Sequence, residues 1–229
     1  MEQYCDFSRY KHCISFGFDF IHLVSNSICN DDHNGDWDYE KKQHVIFPSI
    51  VYDIVSKYVV ARGKLEVEKL KLKGDELGLC YVPNIFTELN NIFLRESQRE
   101  FKSDVHGFVI TQEVIKFLQE EINNWESSLK CSKSDFCYAF TLPTEWNYEI
   151  QEKLIRPLFI SAGLINKHDH CDILLFFTPL ESMFRYIQTE NNYLARKMEL
   201  EHGRQYVMCS LDFVEAKIYQ VCSTIIKVS

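Results

Sequence analysis

Between residues 111 and 129 the apolar side chains recur at the helical period: Val114, Phe117, Leu118, Ile122, Trp125 and Leu129 form one stripe, with Glu113, Lys116, Glu120 and Glu121 off it. An amphipathic helix of this length has one face to bury, so the fold must supply an apolar layer against it. Strand-like runs elsewhere in the chain are the material for that layer. Apolar stretches at about 12–18 and 21–28 come first, followed by an acidic loop at 30–40 with turn chemistry and no periodicity. A third run, 44–52, is rich in Val, Ile, Phe and Tyr and reads as one β segment.

Residues 57–83 are mixed, with a short helix or strand at 65–72 and turns at Gly63, Gly74 and Gly78, and a helical period appears at 84–97. Beyond the long helix, a strand at 136–142 leads into a helix with Asn147 as N-cap and Gly163 as the residue past its end. Pro157 lies inside that helix, lacks an N–H, and predicts a kink. A strand at 172–177 ends in Thr178-Pro179-Leu180-Glu181, a capping box with proline in the first turn. The helix it opens should run to about Leu200, with Gly203 closing it. Two β-type segments, 204–213 and 216–228, finish the chain as a hairpin-like pair. Three strands, a helical region, then strand–helix–strand–helix predict an α/β fold: a mixed sheet with flanking helices, the ribonuclease-H-like layout.

At 229 residues the chain is long enough for one large or two small domains, and with 46% hydrophobic residues and only 8 Gly and 5 Pro it is not a disordered or low-complexity sequence. Asp plus Glu number 33 against 25 for Lys plus Arg, a net charge of −8. That balance argues against nucleic acid and anionic membranes as partners, since both demand a basic surface. Apolar runs such as 173–177 fall far short of the ~20 residues that span a bilayer. The opening Met-Glu-Gln-Tyr-Cys-Asp has neither part of a secretory signal, so a cytoplasmic location is expected and the nine cysteines, odd in number and irregularly spaced, read as reduced thiols.

Five segments share an order and spacing worth setting side by side: Ile14-Ser15-Phe16-Gly17-Phe18-Asp19-Phe20, Phe47-Pro48-Ser49-Ile50 to Asp53, Phe140-Thr141-Leu142-Pro143-Thr144-Glu145-Trp146, Ser161-Ala162-Gly163-Leu164-Ile165, and Ile173 to Pro179. Together they resemble the I-D-F-G-T-T-Y, P-T-x-x-x-Y-D, T-V-P-A-E-W, K-A-G-L-I and E-P-E-A-A segments of the divergent 70-kDa heat-shock-protein-like ATPases, the fungal and animal twelve-type branch. That family belongs with actin and hexokinase, whose two ribonuclease-H-like lobes clasp ATP and magnesium. The resemblance covers about 12–220 and implies an actin-like first lobe over 1–203, with 204–229 as the opening of a second lobe whose adenosine-holding part is missing.

The same resemblance implies that the nucleotide chemistry is degenerate. Phosphoryl transfer is catalysed by positioning and charge, so phosphate oxygens need backbone N–H and hydroxyl donors, and magnesium must be held. In the first phosphate loop the family's aspartate corresponds to Ser15 and its two threonines to Phe18 and Asp19; only Gly17 keeps the loop's character. In the second, D-x-G-G-G-T-x-D corresponds to Ser210-Leu211-Asp212-Phe213-Val214-Glu215-Ala216-Lys217, with all three glycines and both aspartates replaced. The nucleotide-binding remnant would therefore be Ser15, Gly17, Phe18, Asp19, Ser210, Asp212 and Glu215. Thr178 stands at the former catalytic-glutamate position and is expected to act as a cap.

Other constellations have plainer readings. His168-Asp169-His170-Cys171 is the densest set of metal-ligand types, but neighbours in one turn seldom close a tetrahedral site and no C-x-x-C partner exists, so a solvated loop and no metal are expected. Cys131 with Cys137, and Cys209 with Cys222, could form redox pairs; core or loop thiols are the expected role. Glu145 beside Trp146 reads as a solvated or salt-bridged carboxylate. A two-metal nuclease needs a carboxylate on the first strand, where Ser15 stands. The expected function is a pseudo-ATPase: a non-catalytic interaction or regulatory module with a protein partner and no cofactor. The alternative is retained binding of ATP and magnesium through Gly17 and neighbouring backbone, and a truncated product without selected function is the third possibility.

Overall fold

The computed structural model describes residues 10–18, 23–29, 43–71, 78–96, 105–143, 146–179, 181–182, 205–214 and 217–227. The chain divides into two units, 1–140 with 146–176 and 141–145 with 177–229.

The first unit begins with an antiparallel pair, β1 (His12–Phe18) and β2 (Leu23–Cys29), in which Phe18 stands opposite Leu23. Strand β3 (Gln43–Ile46) continues on the far side of β2. The run expected as one β segment over 44–52 is two strands in two sheets: after Phe47-Pro48-Ser49 the chain enters β4 (Ile50–Asp53), the centre of a separate small sheet. Proline causes the break, because it has no N–H for a ladder and restricts the residue before it. The carbonyls there serve other elements: Pro48 O accepts from Ile85 N at 2.9 Å and Ser49 O from Gly63 N at 2.9 Å.

The mixed stretch 57–83 supplies the partners of β4. Strand β5 (Val59–Arg62), helix α1 (Lys64–Lys71) and strand β6 (Leu79–Val82) give a three-stranded sheet in the order β5-β4-β6. Gly63 and Gly78 turn with φ of +78° and +65°, a backbone region open to glycine; Gly74 lies outside the described residues. Helices α2 (Ile85–Glu96) and α3 (Val105–Leu129) follow, and Asn84 caps α2 by accepting from Phe86 N and Thr87 N at 2.9 and 3.2 Å.

Strand β7 (Phe136–Thr141) then returns to the first sheet. The helix expected over 147–163 is present in pieces: α4 (Tyr148–Ile150), a π turn over Gln151–Ile155, and α5 (Arg156–Ser161). Pro157 disturbs it as expected, but the missing N–H is absorbed in the wide turn, where Arg156 N reaches back to Gln151 O. Both ends are closed as read: Asn147 Oδ1 accepts from Ile150 N at 3.2 Å, and Gly163, φ +68°, ends α5 with Gly163 N to Ile160 O and Leu164 N to Phe159 O. Strand β8 (Leu174–Phe177) completes a five-stranded sheet in the order β3-β2-β1-β7-β8.

Lys11 N donates to Asp135 O beside the starts of β1 and β7, and Leu142 N donates to Phe177 O just past β7 and at the end of β8, so β1, β7 and β8 run the same way. The sheet is mixed, with flanking helices. Alternate residues Ile14, Phe16, Phe136, Tyr138 and Phe140 are buried on one face. There Phe16, Phe140 and Phe159 stand 5.5–6.2 Å apart between ring centres, and Val114, Leu118, Ile122 and Trp125 of α3 join the core. Each such ring contributes about 1.5–3 kcal/mol relative to exposure.

In the second unit Thr178 forms both bonds of the capping box: its N donates to Glu181 Oε2 at 2.7 Å and its Oγ1 accepts from Glu181 N at 3.2 Å. The helix expected to Leu200, and the loop at 30–40, lie outside the described residues. Strands β9 (Gln205–Val214) and β10 (Lys217–Lys227) are antiparallel, with an irregularity between Ile218 and Gln220. Among the described residues no helix is long and apolar enough to cross a membrane.

Candidate functional site

The described residues of the expected nucleotide site are strand residues. Ser15 faces Asn26 across the β1–β2 ladder and donates from Oγ to Asn26 O at 3.5 Å. Gly17, expected to keep a loop's character, instead pairs with Val24 within the ladder. A Cβ there would meet Val24 O at 3.8 Å, an ordinary contact, so no close backbone approach demands glycine. Phe18 ends β1 opposite Leu23, while Asp19 and Glu215 lie outside the described residues. Ser210 and Asp212 are within β9, opposite Cys222 and Gln220. Amides committed to a ladder do not converge on a phosphate.

The His168–Cys171 region forms a turn that uses its own side chains. His170 Nδ1 accepts from Asp172 N at 3.3 Å, and Asp169 Oδ2 accepts from Asn166 N at 2.6 Å. The ligand atoms of His170, Cys171 and Asp172 lie within 4.8 Å of one another on consecutive residues. Desolvation, then a hydrogen bond to Asp172, raises the Cys171 pKa, which disfavours the thiolate a metal needs. Cys13, Cys131 and Cys137 are all free thiols; Cys137 Sγ donates to His12 O at 3.7 Å, and its interaction with Cys13 on the neighbouring strand, then burial, raises its pKa and keeps it protonated. Cys209 stands opposite Ser223 and Cys222 opposite Ser210, so these two do not face one another across the ladder.

What sequence reading missed is a polar network buried beneath α3. Glu121 was placed off the apolar stripe, yet it is only 4% exposed. It lies seven residues after Val114 and four before Trp125, which carries it round to the buried side. Its Oε1 takes a 2.5 Å hydrogen bond from Ser25 Oγ and lies 2.8 Å from His44 Nδ1. Trp125 Nε1 donates to the same Ser25 Oγ at 3.0 Å, and its indole stacks on the His44 ring with centres 4.4 Å apart. The network pins β2 and β3 to α3.

Beside it opens a cleft of about 370 Å³ bounded by the 45–50 connection, Arg62 and Gly63, Ile85, and the exposed edge of α3. Arg62 grips Glu113 through Nε and Nη2 at 2.7 and 2.9 Å. Glu120 and Glu121 also line it, as does Ser49, which is 6% exposed. A second relay joins α2, α3 and the small sheet: Tyr52 Oη lies 2.7 Å from His106 Nδ1, and His106 Nε2 lies 2.9 Å from Glu88 Oε1, which also accepts from Arg95 Nη2 at 2.9 Å. Tyr52 is buried at one end of this relay, while His106 and Glu88 are part-exposed and Arg95 is exposed at the other, so it ties the small sheet to the helices from core to surface. Neither a protein-family model nor a curated protein matches the chain.

Proposed function

We propose that this chain is a non-catalytic relative of the 70-kDa heat-shock-protein-like ATPases, a pseudo-ATPase of ribonuclease-H-like fold that acts as a cytoplasmic interaction or regulatory module with a protein partner. The observation that carries this reading is the strand order β3-β2-β1-β7-β8, three leading antiparallel strands followed by two that run with the first. It supports the layout implied by the resemblance, and the hairpins β1–β2 and β9–β10 stand where the two phosphate loops align. The residues on those hairpins support the loss of hydrolysis. Ser15 and Ser210 stand where carboxylates would hold magnesium, and Thr178 spends its hydroxyl on a helix cap. With both magnesium-holding aspartates and the phosphate-loop glycines of the second loop replaced, what this reading leaves for selection is surface.

Calorimetric titration of the purified chain with ATP and magnesium, paired with a thermal melt, tests the proposal. The expected outcome is no heat and no rise in Tm, since any ligand that binds the native state must stabilise it. Binding tighter than about millimolar, worth ~4 kcal/mol, would overturn the reading.

A further inference from the structure

The cleft beside α3 is independent of the nucleotide positions and lies wholly within the first unit. Its charges are unbalanced. Arg62 is committed to both oxygens of Glu113, and Lys116 approaches Glu120 only to 3.9 Å, with both side chains about half exposed. Glu121 is buried, and both its bonds fall on Oε1, so Oε2 has no partner among the described residues. Ser49 adds a second buried polar group: its Oγ has no hydrogen-bond partner among the described residues, although the side chain lines the cleft. Buried polar atoms are seldom left unmatched, and Ser49 Oγ, in a cleft that also carries the Glu121 carboxylate and is lined by Phe47, Ile85 and Phe117, describes a ligand that is polar at one end and apolar at the other.

The sign of the polar end follows from the same residues. An anion would meet Glu120 and Glu121, while Arg62, the one cation among the described lining residues, is already paired with Glu113. A divalent cation wants six or more oxygens, and Glu121 offers one. An ammonium group needs a carboxylate and a neutral acceptor, and has three donors to share between them. We propose that this cleft binds a protonated amine carried on an apolar body, its ammonium held by Glu121 Oε2 and Ser49 Oγ and its body against Phe47 and Phe117.

Saturation-transfer NMR on the full chain tests this with three probes of matched shape at neutral pH: 2-phenylethylammonium, 2-phenylethanol and 3-phenylpropionate. Hydrogen bonds to a charged group are worth enough that the amine should bind at least about tenfold more tightly than the alcohol, and the carboxylate should not bind. Glu121→Gln, which keeps the shape and removes the charge, should abolish the preference for the amine over the alcohol. Should that variant fail to fold, Asn124→Lys decides, because residue 124 is exposed on α3, lines the cleft, and lies outside the buried network. A tethered ammonium at the mouth should weaken amine binding about tenfold. Equal binding of amine and alcohol, amine binding unchanged in Asn124→Lys, or no signal from the amine up to about 10 mM would each overturn the proposal.

Discussion

Glu121 shows how a single side chain can be misjudged from its charge and correctly judged from its position. A carboxylate buried at 4% exposure is tolerable because Ser25 and His44 solvate it, from 96 and 77 residues away in the chain. Trp125 then fixes the Ser25 hydroxyl, so the indole N–H stabilises the carboxylate through an intermediary. Trp125→Phe removes that donor and shrinks a fully buried ring, and should lower stability by at least about 1 kcal/mol, the hydrogen bond and the cavity both contributing, read as a fall in the urea midpoint with the slope unchanged. Residues whose roles are local were legible beforehand: Asn147, Gly163 and Thr178 each act on backbone within five positions, and each was placed correctly. Glu121 was not legible, because neither of its partners could be known before the sheet was.

Elements divide along the same line. The α3 stripe and strands β7 and β8 follow from periodicity, since a helix or strand with one buried face advertises it. The run 44–52 was misread because its composition is β-type throughout, and only the hydrogen bonds of Pro48 and Ser49 to Ile85 and Gly63 show that two sheets share it. The small sheet β5-β4-β6 escaped notice because its outer strands are four residues long, below the length at which alternation is informative. The end of α5 offers a direct test. Gly163 holds φ +68° with open space where a Cβ would sit, so Gly163→Ala should cost about 1 kcal/mol from backbone strain alone, measured by thermal or urea unfolding.

For the molecule as a whole, stability should depend on acidity with a definite sign. Asp53 accepts from Ser56 N and Val55 N, and Asp135 from Ser132 N with Lys11 beside it, and these contacts hold both carboxyls below the ordinary value of 3.8. Because the folded value lies below the unfolded one, the stabilisation is present above about pH 4 and is lost as pH falls through the lowered folded value. Asp135→Ala should therefore unfold at lower urea than the parent at pH 6, with the gap narrowing as acid protonates the parent's carboxyl. The expected nucleotide site is the part of the whole least visible in the structure: its residues divide between the two units, and Asp19 and Glu215 lie outside the described residues. Within the first unit, the three residues from Phe47 to Ser49 have a mechanical meaning. Their middle torsion is locked by a ring, and the carbonyls of its last two members are moored to a helix and to a glycine turn. The chain thus leaves the large sheet through a joint whose last two residues are already tied to the start of α2 and to the turn after β5, so a load placed on β4 is shared with both.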